Sequence, residues 1–299
     1  MNLIESMEIF VRVAELASFT RAAEALSLPK ASISTAVQQL EGSLGTRLLH
    51  RTTRRVELTQ DGRAFYERCK DLLADVDELQ GMFQGGGKRL RGRLRVDMPG
   101  RLALKTIIPR LPAWLEQHPE LELELSLTDR RVDPVREGFD CVLRIGTLED
   151  SSLVARPLGA LRIGNYASPR YLEKYGVPRA VEDLEKHLLV HYVATLGTRP
   201  AGFEYLDGDT YRTVPMRGVV TVNNTDAYQA MCLAGLGLIQ APVHGVGDAV
   251  SSGALVEVLP QLVAEPMPVS LVYPHRRNLP HRVKAFMAFV EESLRPVLD

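Results

Sequence analysis

Lys30, Ser32, Ser34, Thr35 and Gln38 place five hydrogen-bonding side chains on one short segment, inside FTRAAEALSLPKASISTAVQQLE from Phe19 to Glu41. Ile33, Val37 and Leu40 fall between them at i, i+4 and i+7, so one helical face can be buried while the polar groups point elsewhere. Upstream, Ala22, Ala23 and Leu26 give a shorter helix an apolar side, with Thr20 as its expected N-cap. Ser27-Leu28-Pro29 separates the two, because proline disfavours helical geometry in the residue before it and suits the first turn of the next helix. A helix held down by an apolar stripe and polar outside is what binding in a DNA major groove requires. A plain helical hairpin with solvated Ser, Thr and Gln has the same pattern. The following RLLHRTTRRVEL, from Arg47 to Leu58, separates the two readings. It predicts two short strands with Thr52 and Thr53 near the bend and Arg51, Arg54 and Arg55 around it, a basic wing whose guanidinium groups must face solvent or phosphate.

At these residues the chain resembles the LysR-type transcriptional regulators. The resemblance runs through FTRAAEAL, the SIS of the second helix, QQLEGSLGTRLLHRTTRRVELTQDG, REGFDCVLRIG, ASPRYLEKYGVP, AGLGLIQAP and LVYPHRRNLPHRVKAFMAFV, nearly the whole chain in the family's order. It implies an N-terminal all-α winged helix-turn-helix with a long linker helix. A C-terminal α/β domain of two lobes follows, similar to the type II periplasmic solute-binding proteins. Where many members have arginine this chain has Thr35, and where a basic residue is frequent it has Gln38, which shifts phosphate binding towards the wing. The DNA-binding set expected is therefore Thr20, Lys30, Ser32, Ser34, Thr35, Gln38, Arg51, Thr52, Arg54 and Arg55. Lys30 to Gln38 face the groove, and Arg51, Arg54 and Arg55 hold phosphate or enter the minor groove. The resemblance also implies a dimer of dimers on inverted repeats near a promoter, with RNA polymerase as a further partner.

Composition agrees with this organisation. A chain of 299 residues can hold two or three domains, and its net charge of -1 leaves room for a basic surface confined to one of them. From Lys30 to Lys70 the bases Lys30, Arg47, Arg51, Arg54, Arg55, Arg63, Arg68 and Lys70 outnumber the acids Glu41, Glu57, Asp61 and Glu67. No apolar run reaches the roughly 20 residues of a membrane span, and MNLIESMEIFVRV is not a signal peptide, so a cytoplasmic protein is expected. Three cysteines, Cys69, Cys141 and Cys232, lack the spacing of a zinc site or a disulfide framework, and no metal or other cofactor is expected.

The elements that must position these groups follow from the pattern. Met1 to Leu16 predicts a first helix with Ile4, Met7, Phe10, Val11 and Ala14 on its apolar side. Thr59 is the expected N-cap of a long helix on which Phe65, Cys69, Leu72, Val76, Leu79 and Phe83 alternate in steps of four and three. Such a seam pairs helices, here between chains as in the family, although packing within its own domain has the same pattern. Gly85-Gly86-Gly87, with Lys88, Arg89, Arg91 and Arg93 around it, reads as a hinge. The domains are 1–60 (DNA-binding), 61–87 (linker, dimerisation and hinge) and 88–299 (effector-binding). By resemblance the last divides into lobe I, about 88–162 and 266–299, and lobe II, about 163–265.

Beyond Leu94, strands and helices alternate and argue a parallel sheet with covering helices. Ligands bind beyond the carboxyl ends of such strands, near free N-H groups of helix N-termini. Those ends are Pro99, Gly100, Arg101 and Leu102, then Thr128, then Gly146 and Thr147. Across the cleft stand Asn224, Thr225 and Asp226, with Pro242 and His244 at the rim. The resemblance implies a small-molecule pocket at these positions, held between lobes and changing the angle between DNA-binding pairs. Arg101 and the helix N-termini favour an anion, such as a small organic acid; Thr128, Asp129 and Thr225 can equally be helix caps.

Rival chemistries are weakly marked. Gly245-Val246-Gly247-Asp248-Ala249-Val250 starts like a dinucleotide loop but lacks the third glycine, and neither GxSxG nor a P-loop occurs, so no enzyme is expected. His187 and His191 are four apart without the glutamate of a metalloprotease. A transport-type solute-binding protein would share the two-lobed fold but has no use for the first 60 residues. A redox-sensing regulator of the same family is the remaining alternative, and the apolar neighbours of Cys141 and Cys232 argue against reactive thiols.

Overall fold

The computed structural model describes residues 2–51, 56–80, 90–148, 153–274 and 279–299. Thr52, Arg54, Arg55, Phe83 and the Gly85-Gly86-Gly87 hinge lie outside the described residues. The chain divides into two units, residues 1–93 with 118–122, and residues 94–117 with 123–299.

In the first unit, helix α1 (Leu3–Leu16) starts on a capping box, Asn2 accepting from the Glu5 N-H at 2.8 Å and the Glu5 carboxylate from the Asn2 N-H at 2.9 Å. It buries Ile9, Phe10, Val11 and Val13, whereas Ile4, expected on the apolar side, is exposed. Contact with three other helices at once turns the buried arc towards them. Helix α2 (Phe19–Leu26) is capped by Ser18, whose hydroxyl accepts from the Arg21 N-H at 3.3 Å. Thr20, the expected cap, is instead the second helical residue. Ser27 takes the left-handed conformation (φ 53°) and closes α2; α3 (Lys30–Leu44) begins directly after Pro29.

Strands β1 (Leu49–Arg51) and β2 (Val56–Leu58) pair antiparallel, Leu49 opposite Leu58. The Glu41 carboxylate accepts from the Leu48 and Leu49 N-H groups at 2.8 and 3.1 Å and ties α3 to the wing. Helix α4 (Gln60–Gln80) is capped by Thr59, whose hydroxyl accepts from the Gly62 N-H at 2.8 Å and donates to the Arg47 carbonyl at 2.7 Å. A side-chain carbon at position 62 would overlap the Leu48 carbonyl, so this close approach needs glycine.

One core joins Phe10, Ile33, Ala36, Val37, Leu40 and Leu48 to Cys69 of α4, with Phe65, Tyr66 and Leu73 packed against it. The Phe10 and Phe65 rings lie 5.6 Å apart. Each fully buried aliphatic or aromatic side chain contributes about 1.5–3 kcal/mol. The expected dimerisation seam is corrected here at two positions, while the side chains of Leu79 and Phe83 lie outside those described. Its first two positions, Phe65 and Cys69, are consumed by their own domain because α1 covers that side of α4. Leu72, next along, is 44% exposed, and Val76 is half-buried.

Strand β3 (Arg91–Met98) leads into the second unit and is followed by a helical run made of α5 (Gly100–Leu102), a π turn (Ala103–Ile107), a 3-10 turn and α6 (Leu111–Glu116). Then come β4 (Glu120–Leu127), α7 (Pro134–Glu137), β5 (Cys141–Ile145) and β6 (Leu153–Leu161). Strand β7 (Ile163–Ala167) enters another sheet and is followed by α8 (Pro169–Tyr175), β8 (His191–Tyr192), β9 (Phe203–Asp207), β10 (Thr210–Val214) and β11 (Thr221–Val222). After these come α9 (Thr225–Leu233), β12 (Ile239–Pro242), α10 (Val243–Ser251), β13 (Val256–Glu257), β14 (Met267–Pro274) and α11 (His281–Leu294).

The five-stranded sheet has the order β4-β3-β5-β14-β6, with β3 parallel to β5 but β14 antiparallel to both β5 and β6. In the three-stranded sheet β12-β7-β13, both outer strands run antiparallel to β7. The wholly parallel sheet expected from alternation is thus mixed, because β14 returns to the first sheet and inserts between strands running the other way. Trp114 stacks on Phe289 at 5.1 Å and meets Phe286 edge-on, fixing α6 to α11. The β9–β10 hairpin was missed in the sequence, although its two-residue Gly208-Asp209 turn, with Gly208 at φ +62°, is a recognisable signal.

Candidate functional site

On α3 the buried side is Ile33, Ala36, Val37 and Leu40, and the opposite side carries Lys30, Thr35 and Gln38 exposed, with Ser32 and Ser34 half-buried. Among the described residues, none of these five polar side chains has a hydrogen-bond or ion-pair partner. Thr20 is exposed on α2 and Arg47 just before β1. Arg51 lies in β1. Such a face carries ammonium, hydroxyl and amide groups able to meet base edges or phosphates.

In the second unit the α5 run faces α9 and α10. Arg101 donates through Nε to the Gly245 carbonyl at 2.9 Å and through Nη1 to Asp226 at 2.8 Å. Lys105 pairs with Asp248, and the Thr106 hydroxyl lies 3.0 Å from His244 Nε2. Asp129 accepts from the Thr225 N-H at 2.6 Å and the Thr225 hydroxyl at 2.9 Å, the first groups of α9. Asn224 caps the same helix, accepting from the Asp226 and Ala227 N-H groups at 3.1 and 3.0 Å. Behind these contacts is a cavity of about 70 Å³.

Of the expected effector residues, Pro99, Arg101, Leu102, Thr225, Pro242 and His244 line this cavity; Gly100, Thr128, Gly146, Thr147, Asn224 and Asp226 do not. Two reasons are visible. The Thr128 hydroxyl is committed to Asp97 at 2.9 Å, a fully buried carboxylate that also accepts from Arg144 at 3.0 Å. Asp226 is taken up by Arg101, so Arg101, expected as an anchor for a ligand anion, is a paired cation. The sequence reading missed Ile145, Leu161, Tyr228, Gln229, Ile239 and Val246. For Gln229 the signal was its spacing, one helical turn after Thr225 at the start of α9. The Tyr228 hydroxyl accepts from the Gln240 N-H at 3.1 Å, and burial pushes its phenol up. Burial first, then the Lys105 charge, holds His244 below the ordinary histidine value.

The rival chemistries meet specific obstacles. Gly245 to Val250 lies within α10 instead of forming a phosphate loop. His187 is buried with Nδ1 3.1 Å from the Tyr171 hydroxyl. All three cysteines are buried, and burial pushes the Cys69 and Cys232 thiols up to about 12 and Cys141 in the same direction.

A helix-turn-helix with an outward polar face, joined in one chain to an α/β domain holding a cavity, defines a DNA-binding protein with a ligand-binding domain. Comparison with known proteins agrees. Residues 4–63 match the bacterial regulatory helix-turn-helix model of the lysR family, and residues 87–295 match the LysR substrate binding domain. The chain is 46% identical over 299 residues to the HTH-type transcriptional regulator YhjC of Escherichia coli (strain K12), covering 100% of both chains. It is 38% identical over 292 residues to an HTH-type transcriptional repressor of Pseudomonas aeruginosa (strain UCBPP-PA14), covering 98% of this chain and 92% of the relative. The structure of CrgA, a LysR-type transcriptional regulator from Neisseria meningitidis, superimposes with a TM-score of 0.60 at 29% identity, covering 98% of this chain and 99% of that one. The chain belongs to the LysR family of transcriptional regulators and has that family's DNA-binding and effector-binding domains. No described helix is long and apolar enough to cross a membrane.

Proposed function

We propose that this regulator acts in the cytoplasm, reads inverted repeats at a promoter as a dimer of dimers, and changes its effect on RNA polymerase when a small molecule enters the cleft between the α5 run and α9–α10. The observation that carries the DNA half is the α3 face, where Lys30, Thr35 and Gln38 are exposed and have no partner within the described chain. Groups left unpaired on a rigid helix suit an external hydrogen-bonding partner, and two-fold protein symmetry suits a two-fold site. In the assembly, Leu72 and Val76 remain the positions on α4 best placed for a second copy.

The effector half rests on the cavity behind Arg101 and Thr225. An anionic effector, the expectation raised by Arg101 and the helix N-terminus in the sequence, would have to replace Asp226 on the guanidinium or Asp129 on α9. Thiol-based sensing is disfavoured by the burial of Cys141 and Cys232.

Fluorescence anisotropy on a duplex taken from upstream of the protein's own gene, with heparin as competitor, tests the DNA reading. Thr35→Ala and Gln38→Ala should alter base preference, each lost contact costing about 1–3 kcal/mol of discrimination. Arg54→Ala with Arg55→Ala should weaken binding to all sequences alike and lower the salt slope by about 2. Full affinity and unchanged preference in both sets would mean that helix and wing have been assigned wrongly.

A further inference from the structure

Three donors at the mouth of the cleft already hold carboxylates of the chain itself. Arg101 holds Asp226 at 2.8 Å, Lys105 holds Asp248, and the Thr225 N-H at the start of α9 holds Asp129 at 2.6 Å. Behind them the wall is apolar, formed by Leu102, Ile145, Leu161, Ile239, Ala241 and Val246. One polar group on it is left over: the Gln229 amide has its Oε1 buried and without a hydrogen-bond partner among the described residues.

We propose, on the reading that this cavity is the effector site, that its ligand is a small neutral molecule with an apolar body and one hydroxyl, and not an anion. A carboxylate entering here would lose its water against aliphatic side chains and would find the nearby cations neutralised. An alcohol loses little, because its carbon chain is rewarded by the wall and its hydroxyl pairs with Gln229. A hydroxyl both donates and accepts, so it satisfies the amide in either orientation. Size gives the scale: an apolar cavity of about 150 Å³ holds the six carbons of benzene, so about 70 Å³ has room for roughly three heavy atoms, the rest of the ligand lying in the mouth of the cleft.

The full-length protein, labelled on Ile and Leu methyl groups, is titrated by NMR with 1-propanol and separately with propionate. Saturable shifts at Ile145, Leu161 and Ile239 are expected with 1-propanol, and binding at least tenfold weaker with propionate. Gln229→Leu should weaken 1-propanol about tenfold. Asp226→Asn, at an exposed position, frees Arg101 and should strengthen propionate while leaving 1-propanol unchanged, a charge-specific gain that mere structural damage cannot produce. Propionate binding as tightly as 1-propanol to the unsubstituted protein would overturn the neutral ligand yet leave the cleft as effector site. Indifference of 1-propanol to Gln229→Leu would overturn the hydroxyl contact. No saturable shift at these methyls with either probe would overturn the cleft reading and the ligand class together.

Discussion

The two functional regions treat their polar side chains in opposite ways. On α3, Lys30, Thr35 and Gln38 point outward without partners among the described residues, above an underside of Ile33, Val37 and Leu40 that is essentially fully buried. Around the cleft almost every charged group has a partner in the chain: Arg101 with Asp226, Lys105 with Asp248, Asp129 with Thr225, Arg144 with Asp97. A surface that meets a large, hydrated, charged partner such as DNA can leave its donors in water until the partner arrives. A cleft that closes on itself cannot, because an unpaired charge in a part-buried site is costly. An unpaired polar face therefore marks recognition by addition, and a paired rim marks recognition by exchange.

The largest effect that could break this contrast comes from the underside of α3. Ile33→Ala should cost about 2–5 kcal/mol, unfold the DNA-binding unit first and abolish DNA binding. The effector domain should keep its own thermal transition, as followed by calorimetry. A single transition falling as a whole would show that the two regions are not separable. Next comes α4, where Phe65 and Cys69 belong to the domain core while Leu72 is exposed. Leu72→Glu should weaken self-association at least tenfold, read by sedimentation, with little loss of folding; an unchanged assembly would remove Leu72 from the interface.

A smaller effect sharpens the cleft side. Burial holds His187, His191 and His244 below the ordinary histidine value of 6.5, with Asp183 opposing the shift at His187 and Lys105 adding to it at His244. The unfolded chain thus takes up protons first as pH falls. The stability held by these neutral rings is complete above pH 6.5 and is lost progressively below it. The melting transition of the effector domain should drop on acidification from pH 7 to 5.5, and His187→Gln should flatten the drop. A slope identical in the two proteins would separate His187 from the effect.

Legibility divides along the same line. The hairpin, the wing, the Thr59 cap and the outward set on α3 were readable because neighbours in sequence decide them: a 3.6-residue period, a proline, a capping hydroxyl and a run of arginines act over a few residues. Even there, the cap fell on Ser18 and not Thr20, and α1 buried Ile9 and Val13 and left Ile4 exposed, since the packing partners lie elsewhere in the chain. In the effector domain the strand ends placed Arg101, Thr225 and His244 near one cavity, but local pattern was silent on direction and pairing. The antiparallel β14 inserted between β5 and β6 depends on a return from far along the chain. Arg101 meets Asp226 at a sequence separation of 125, and Thr128 meets Asp97 at a separation of 31. The amino-acid sequence by itself determined which helix offers polar groups to the outside and many of the segments that form the sheets, though not the β9–β10 hairpin. Only the tertiary structure decided which charges cancel, because ion pairing and cavity shape arise from distances between residues that the local pattern cannot relate.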